Sequence, residues 1–418
     1  MFGVHTVTKS NEVQELVDWL ASFGATTEGG VTRLLYSPAW VSAQNALKQK
    51  MIDMGLYTYY DNVGNLFGRV EGSVQKEHII LTGSHIDTVV QGGKYDGAYG
   101  IIASLLAIHR LVVKYGPPKK TVEVVSLCEE EGSRFPLTYW GSKNIMGEYS
   151  AQSITNLTDT EGTSFTQAMQ DAGFPINSYS PQKRQDIQKF IEIHIEQGSI
   201  LEENKKDIGL VSHIVGQKRF TITFTGESNH AGTTPMTLRK DAMVCTARAI
   251  SNLTKLATEK YPSLTATVGR IVAKPNVPNV VAGKVSFTLD VRHHEAETID
   301  NFCENAIQLL QSLATEHSLQ LDIEKWTEIN PVALDNSLHH LMEGKISAHG
   351  LQHLSMVSGA GHDAQVFGKH IPTTLLFVPS HKGISHSPLE FTNERDLEKG
   401  VTVLMDYLYY LAYEGVEV

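Results

Sequence analysis

The stretch Leu81–Gly100, LTGSHIDTVVQGGKYDGAYG, constrains this chain most, because an apolar run that starts after His78 gives way there to a glycine-rich loop. His85, Asp87, Asp96 and five glycines stand where a buried strand ends. Imidazole lone pairs and carboxylate charge are what a divalent cation binds at neutral pH. On one helix His85 and Asp96 would be ~16 Å apart, at about 1.5 Å per residue, too far to share an ion. A loop must therefore bring them together, and Gly92, Gly93 and Gly97 let it turn sharply. Taken alone, His85 and Asp87 fit a strand-end cap equally well.

The residues that follow change that balance. Ala98–Tyr115 has the apolar pattern of a buried helix, stopped by Pro117 and Pro118, and TVEVVSL over Thr121–Leu127 is a second β-branched run. It leads directly into Cys128, Glu129, Glu130, Glu131 and Gly132. Strand, loop, helix and strand in this order make an α/β unit, in which ligands gather beyond the carboxyl ends of the strands. Acidic clusters at neighbouring strand ends repel one another unless something positive lies between them. A third apolar alternation, FIEIHI over Phe190–Ile195, puts His194 at another strand end, and GISHSP brings His386 late in the chain. His85, Asp96, Glu130 or Glu131, His194 and His386 could give each of two metals three ligands, one carboxylate being shared. The unused glutamate would then be the general base.

At 418 residues the chain has room for two domains. From Ile208 the texture changes. Setting aside a first strand at Ile208–Ile214, the pattern is strand, helix, two strands, helix, strand as far as Trp326, the split βαβ order of a ferredoxin-like module. Catalytic segments are expected at 1–207 and 328–418, with an inserted domain at 208–327. A net charge of -11 and the absence of any extended basic run argue against a nucleic-acid partner. Cys128, Cys245 and Cys303 are too few and too scattered for a disulfide framework, which points to a reducing compartment. The N-terminal MFGVHTVTKSNEV has no basic segment followed by an apolar one, and no membrane span is expected; the chain reads as cytoplasmic.

GSHIDTVVQGGKYDGAYG, EEEGSRF, HIEQG, SNHAGTTPM, SGAGHDA and GISHSP, together with GGVTRLLYSPAW and RFPLTYWGSKNI, occur in order along essentially the whole chain. This set resembles the M20 metallopeptidase clan, in its branch of carbamoylases and ureidohydrolases. The resemblance implies an α/β fold: a discontinuous metal-binding catalytic domain with a central mixed sheet flanked by helices, plus an inserted ferredoxin-like α+β lid that also forms a homodimer interface. It implies two divalent ions per subunit, Zn²⁺ or Mn²⁺, held by His85, Asp96, Glu131, His194 and His386, with Asp96 bridging. Asp87 would orient the His85 imidazole, and Glu130 rather than Glu129 would be the base. His230 would stabilise the oxyanion. Asn279 and Arg292 would hold a substrate carboxylate, Gln217 would be a further substrate contact, and backbone amides near Gly359 and Ala360 would meet the substrate's other end. The reaction implied is hydrolysis of a ureido group on a small carboxylate. Allantoate is the expected substrate, N-carbamoyl-L-amino acids or β-ureidopropionate are the alternatives, and peptides are more remote.

Overall fold

The computed structural model describes residues 11–150, 152, 154–179 and 183–414. The reading of the N-terminus thus falls, for residues 1–10, outside the described residues. The chain forms two compact units, Met1–Ser212 with Leu334–Val418, and His213–Ala333.

The first unit is built on a mixed, nine-stranded sheet with helices against it. Its middle consists of four parallel strands in the order Lys120–Leu127, Gln75–His85, Ile187–Ile195 and Thr373–Val378. These are the apolar runs of the sequence, and their facing side chains are buried. Buried on both faces, such strands need no polar alternation. A hairpin, Tyr57–Tyr60 with Leu66–Val70, continues one edge antiparallel. On the other side Ile208–Ile214 pairs antiparallel with Thr373–Val378. That strand, at the start of the expected insertion, therefore belongs to the central sheet. His353–Ser358, which the pattern did not reveal, also pairs with it.

Helix Ala98–Tyr115 begins directly after Asp96 and Gly97. By length and composition it could cross a membrane, yet it is 67% buried, packed between the sheet and helix Glu394–Tyr409. It is the core helix of this unit, and its burial explains why it is apolar on most faces. Helix Pro38–Asp53 starts where its sequence says it should, with Ser37 accepting the Trp40 N–H and Pro38 at the first position.

The second unit has an antiparallel five-stranded sheet in the order Gln320–Ile329, Gly216–Thr225, Lys284–His293 and Thr265–Thr267, with Ile271–Lys274 also on Lys284–His293. Helices Ala242–Lys260 and Ala296–Glu316 supply its separate apolar core. The β-branched run Leu264–Val272 feeds two short strands, Thr265–Thr267 and Ile271–Lys274, with Gly269 in the break.

Candidate metal centre

Parallel neighbours share one direction, so their carboxyl ends open on one edge of the sheet. His85 ends one strand, the glutamate triplet follows the next, and His194 lies near the end of the third. Thr373–Val378 leads toward His386.

Asp96 stands at the centre. Its Oδ1 lies 3.4 Å from His85 Nε2 and 3.2 Å from His194 Nε2. Its Oδ2 lies 3.2 Å from His386 Nε2, which is also 3.2 Å from Glu131 Oε1. The carboxylate thus has one oxygen in each of two groups, His85–Asp96–His194 and Asp96–Glu131–His386, whose ligand-type atoms lie within 4.8 Å of one another. His85, Glu130 and Glu131 form a further group by the same measure. Gly97 makes the first close: at φ 62°, a Cβ there would meet the His85 carbonyl at 2.4 Å.

The donor set fits a cation. His85 Nδ1 lies 3.3 Å from Asp87 Oδ1, and His194 Nδ1 is 2.9 Å from the Ile195 carbonyl. Each contact holds the Nδ1–H and leaves the Nε2 lone pair aimed at the same Asp96 oxygen. The Gly97 N–H lies 3.0 Å from His194 Nε2, and among the described residues the ion pairs of Asp96 are with His85, His194 and His386, with no Lys or Arg between these converging groups. A positive ion is what such a convergence accommodates.

The electrostatics show how much negative charge is gathered here: the carboxylates draw protons onto the histidines, the same pull they would exert on a cation. Burial would raise the Asp96 carboxyl, but contacts from His194, His386 and His85 hold it well below the usual range. Burial would lower His85, but Asp87 and Asp96 hold it well above its usual value. Contacts with Asp96 and Glu131 push His386 up to about 11. Burial first, and then Glu131, push the Glu130 carboxyl well up. Glu129 points elsewhere: its Oε1 accepts the Gly132 N–H at 2.5 Å.

Three residues with no role assigned from the sequence complete the site, two of them, Gln197 and Arg33, within the stretches HIEQG and GGVTRLLYSPAW. Gln197 Nε2 lies 3.0 Å from Asp96 Oδ2. Arg33, buried behind the His85–Asp87 turn, donates from Nε to the Ile86 carbonyl at 2.5 Å; burial draws its guanidinium down to about 10, against the pull of Asp87. Glu390 accepts the backbone N–H groups of Tyr95 and Asp96 at 2.9 and 3.1 Å. Gly359 and Ala360 lie in the loop before His362, whose ring meets that of His194 at 4.7 Å. The Ala360 N–H is engaged at 3.3 Å by Ser358 Oγ.

The other expected residues lie in the second unit, in two pairs. Gln217 and Arg292 are cross-strand partners, and both reach Asp290, with Gln217 Nε2 at 2.7 Å and Arg292 Nε at 3.0 Å. His230 and Asn279 lie on facing loops joined by the Ala231 N–H to the Asn279 carbonyl at 3.0 Å. His230 Nδ1 accepts the Gly232 N–H at 3.0 Å, which leaves Nε2–H on an exposed ring. His293, His294 and Glu295 also bring ligand-type atoms together. There, however, His293 is buried, not solvated as a strand end would be, and its Nδ1 accepts the Glu295 N–H at 3.1 Å.

A profile of peptidase family M20/M25/M40 matches residues 81–410. The chain belongs to this family. As an M20 chain it is 46% identical to the "Allantoate amidohydrolase" of Bacillus subtilis (strain 168), over 96% of this chain and 98% of that one. Its identity to the protein of the same description in Escherichia coli (strain K12) is 44%, again over 96% and 98%. Among solved structures, an amidase of the hydantoinase/carbamoylase family from Burkholderia multivorans superposes with a TM-score of 0.92 at 31% identity, covering 97% of this M20 chain and 98% of that chain.

Proposed function

We propose that this chain hydrolyses a ureido group of allantoate to ureidoglycine, ammonia and carbon dioxide, using two divalent cations, Zn²⁺ or Mn²⁺. The observation that carries the two-cation reading is Asp96, with one oxygen in each of two ligand groups. The substrate rests on the two relatives at 46% and 44% identity.

When bound, a pair of such cations polarises a carbonyl and lowers the pKa of water. The protein's own groups do the rest. Glu130, kept easily protonated by its burial, takes a proton from the attacking water and delivers it to the leaving nitrogen. Attack on the ureido carbonyl breaks the bond to the terminal nitrogen and releases ammonia. The carbamate left behind loses carbon dioxide to free the amine. Arg292 and Asn279 hold the substrate carboxylate, and Asp290 keeps the Arg292 guanidinium oriented for two-point contact. Gln217 adds a polar contact, and His230 offers its free Nε2–H to the developing oxyanion.

The second unit, His213–Ala333, acts as lid and homodimer interface in this reading. Among the described residues Ile271–Lys274 pairs with Lys284–His293 alone and exposes Ile271 and Val272, an edge suited to a second copy of the chain. The cytoplasm is the compartment proposed, in keeping with Cys128, Cys245 and Cys303, all unpaired.

The likeness to the hydantoinase/carbamoylase family favours N-carbamoyl-L-amino acids as the second reading. The test is ammonia release by metal-stripped protein resupplied with Mn²⁺ or Zn²⁺, on allantoate, N-carbamoyl amino acids and β-ureidopropionate. Allantoate should give the highest kcat/KM, and a chain inert on allantoate but active on a carbamoyl amino acid would move the assignment to the second reading.

A further inference from the structure

The two ligand groups are mounted differently. His85 and His194 sit on strands of the central sheet, where ladder hydrogen bonds fix them. His386 sits on a loop, half exposed, with φ at 54°, a left-handed conformation that an L-residue keeps only where its surroundings hold it. Something must set its distance from Asp96.

Glu390 is placed to do so. It is 4% exposed and has no Lys or Arg beside it among the ion pairs of the described residues. A carboxylate buried in this way is costly unless each oxygen is hydrogen-bonded. Oε1 accepts the Tyr95 and Asp96 N–H groups, and Oε2 accepts the Ser385 hydroxyl at 2.9 Å. Ser385 precedes His386, and its Oγ lies 3.5 Å from Asp96 Oδ2. One carboxylate therefore fastens the backbone of Asp96 to the segment that carries His386, 294 residues farther along at Glu390 itself. The approach is possible only over a bare backbone: a Cβ at Gly93 would lie 2.1 Å from both Cδ and Oε1 of Glu390. This gives Gly93 a second use besides turning the loop.

We infer that Glu390 is a positioning residue that sets the spacing between Asp96 and His386, and through it the affinity of the cation held by Asp96, Glu131 and His386. The inference rests on the two-cation reading above. Hydrogen-bonded supports of metal ligands commonly matter this much: their loss costs about 10–100-fold in metal affinity.

The test is calorimetric titration of chelator-treated full-length protein with Mn²⁺, for wild type, Glu390→Ala, Glu390→Gln, Ser385→Ala and His386→Ala. Wild type should take up two ions. In Glu390→Ala the ion that His386→Ala also loses should bind about 10–100-fold more weakly, with the other within about threefold of wild type. Glu390→Gln keeps an oxygen for the two N–H groups and should return that ion to within about threefold, which a loss of general packing would not predict. Ser385→Ala removes one hydroxyl and should weaken the same ion by a smaller factor, so the question stays answerable if Glu390→Ala does not fold. Two tight ions in both Glu390→Ala and Ser385→Ala, or equal weakening of both ions, would overturn the role. A wild-type chain that binds a single ion would overturn the two-cation reading itself, and this role with it.

Discussion

Asp87 and Glu130 meet through the backbone: Asp87 Oδ1 accepts the Glu130 N–H at 3.0 Å, while Oδ2 accepts the N–H of Glu131 at 3.1 Å. The same Oδ1 lies 3.3 Å from His85 Nδ1. A single buried carboxylate thus orients an imidazole and the two glutamates across from it.

Asp87→Asn keeps the shape but has one oxygen where two are used. Metal affinity or kcat should fall about 10–100-fold, as for other hydrogen-bonded supports of metal ligands. Steady-state kinetics with parallel Mn²⁺ titration will show it, and a variant equal to wild type in both would remove Asp87 from the site.

Within the triplet, the Glu129 carboxylate is turned to the Gly132 N–H, whereas Glu130 and Glu131 converge with His85. Glu130→Gln should lower kcat by about 10²–10⁴-fold, the usual contribution of a general base, with little change in KM or metal content. Glu129→Gln should leave a much smaller kinetic defect. The reverse order would transfer the base to Glu129.

Much of this was legible in the sequence because the chemistry falls at the ends of apolar strands. Leu81–Gly100, the glutamate triplet and HIEQG each combine a β-branched run with ligand-type residues, so their place at the carboxyl edge of the sheet followed from pattern alone. Helix Ala98–Tyr115 likewise has the bounds its apolar run predicts. Glu390 and Arg33 were not legible in this way. Each acts by hydrogen bonds to backbone groups far away in sequence, on Tyr95 and Asp96 or on Ile86, and backbone acceptors and donors carry no residue signature. The engagement of Arg292 by Asp290 two residues before it could have been anticipated, since alternate residues of a strand share a face. The break at Gly269 carries its own signal, since a glycine in a strand interior weakens the strand and often marks a bulge or bend.

The second unit should respond to acid on its own. Burial first, and then the adjoining His294, hold His213 and His293 below the ordinary imidazole range, with Glu295 opposing. The His293 and His294 rings lie 4.2 Å apart, and those of His213 and His294 5.6 Å. A histidine whose folded pKa is depressed binds fewer protons folded than unfolded, so its stabilising contribution is present above about pH 6.5 and is lost as the pH falls below it. The thermal midpoint should therefore drop between pH 7 and pH 5. His294→Gln, which removes the neighbouring imidazole, should flatten that slope; an unchanged slope would assign it to other groups.

The most direct measurement is anomalous diffraction from crystals of the protein soaked in Mn²⁺. Two peaks are predicted on either side of the Asp96 carboxylate, about 3.5–4 Å apart as in other two-metal sites, one against His85 and His194 and the other against Glu131 and His386. A single peak at saturating Mn²⁺, or two peaks of which only one touches Asp96, would contradict a shared carboxylate at the centre of the site.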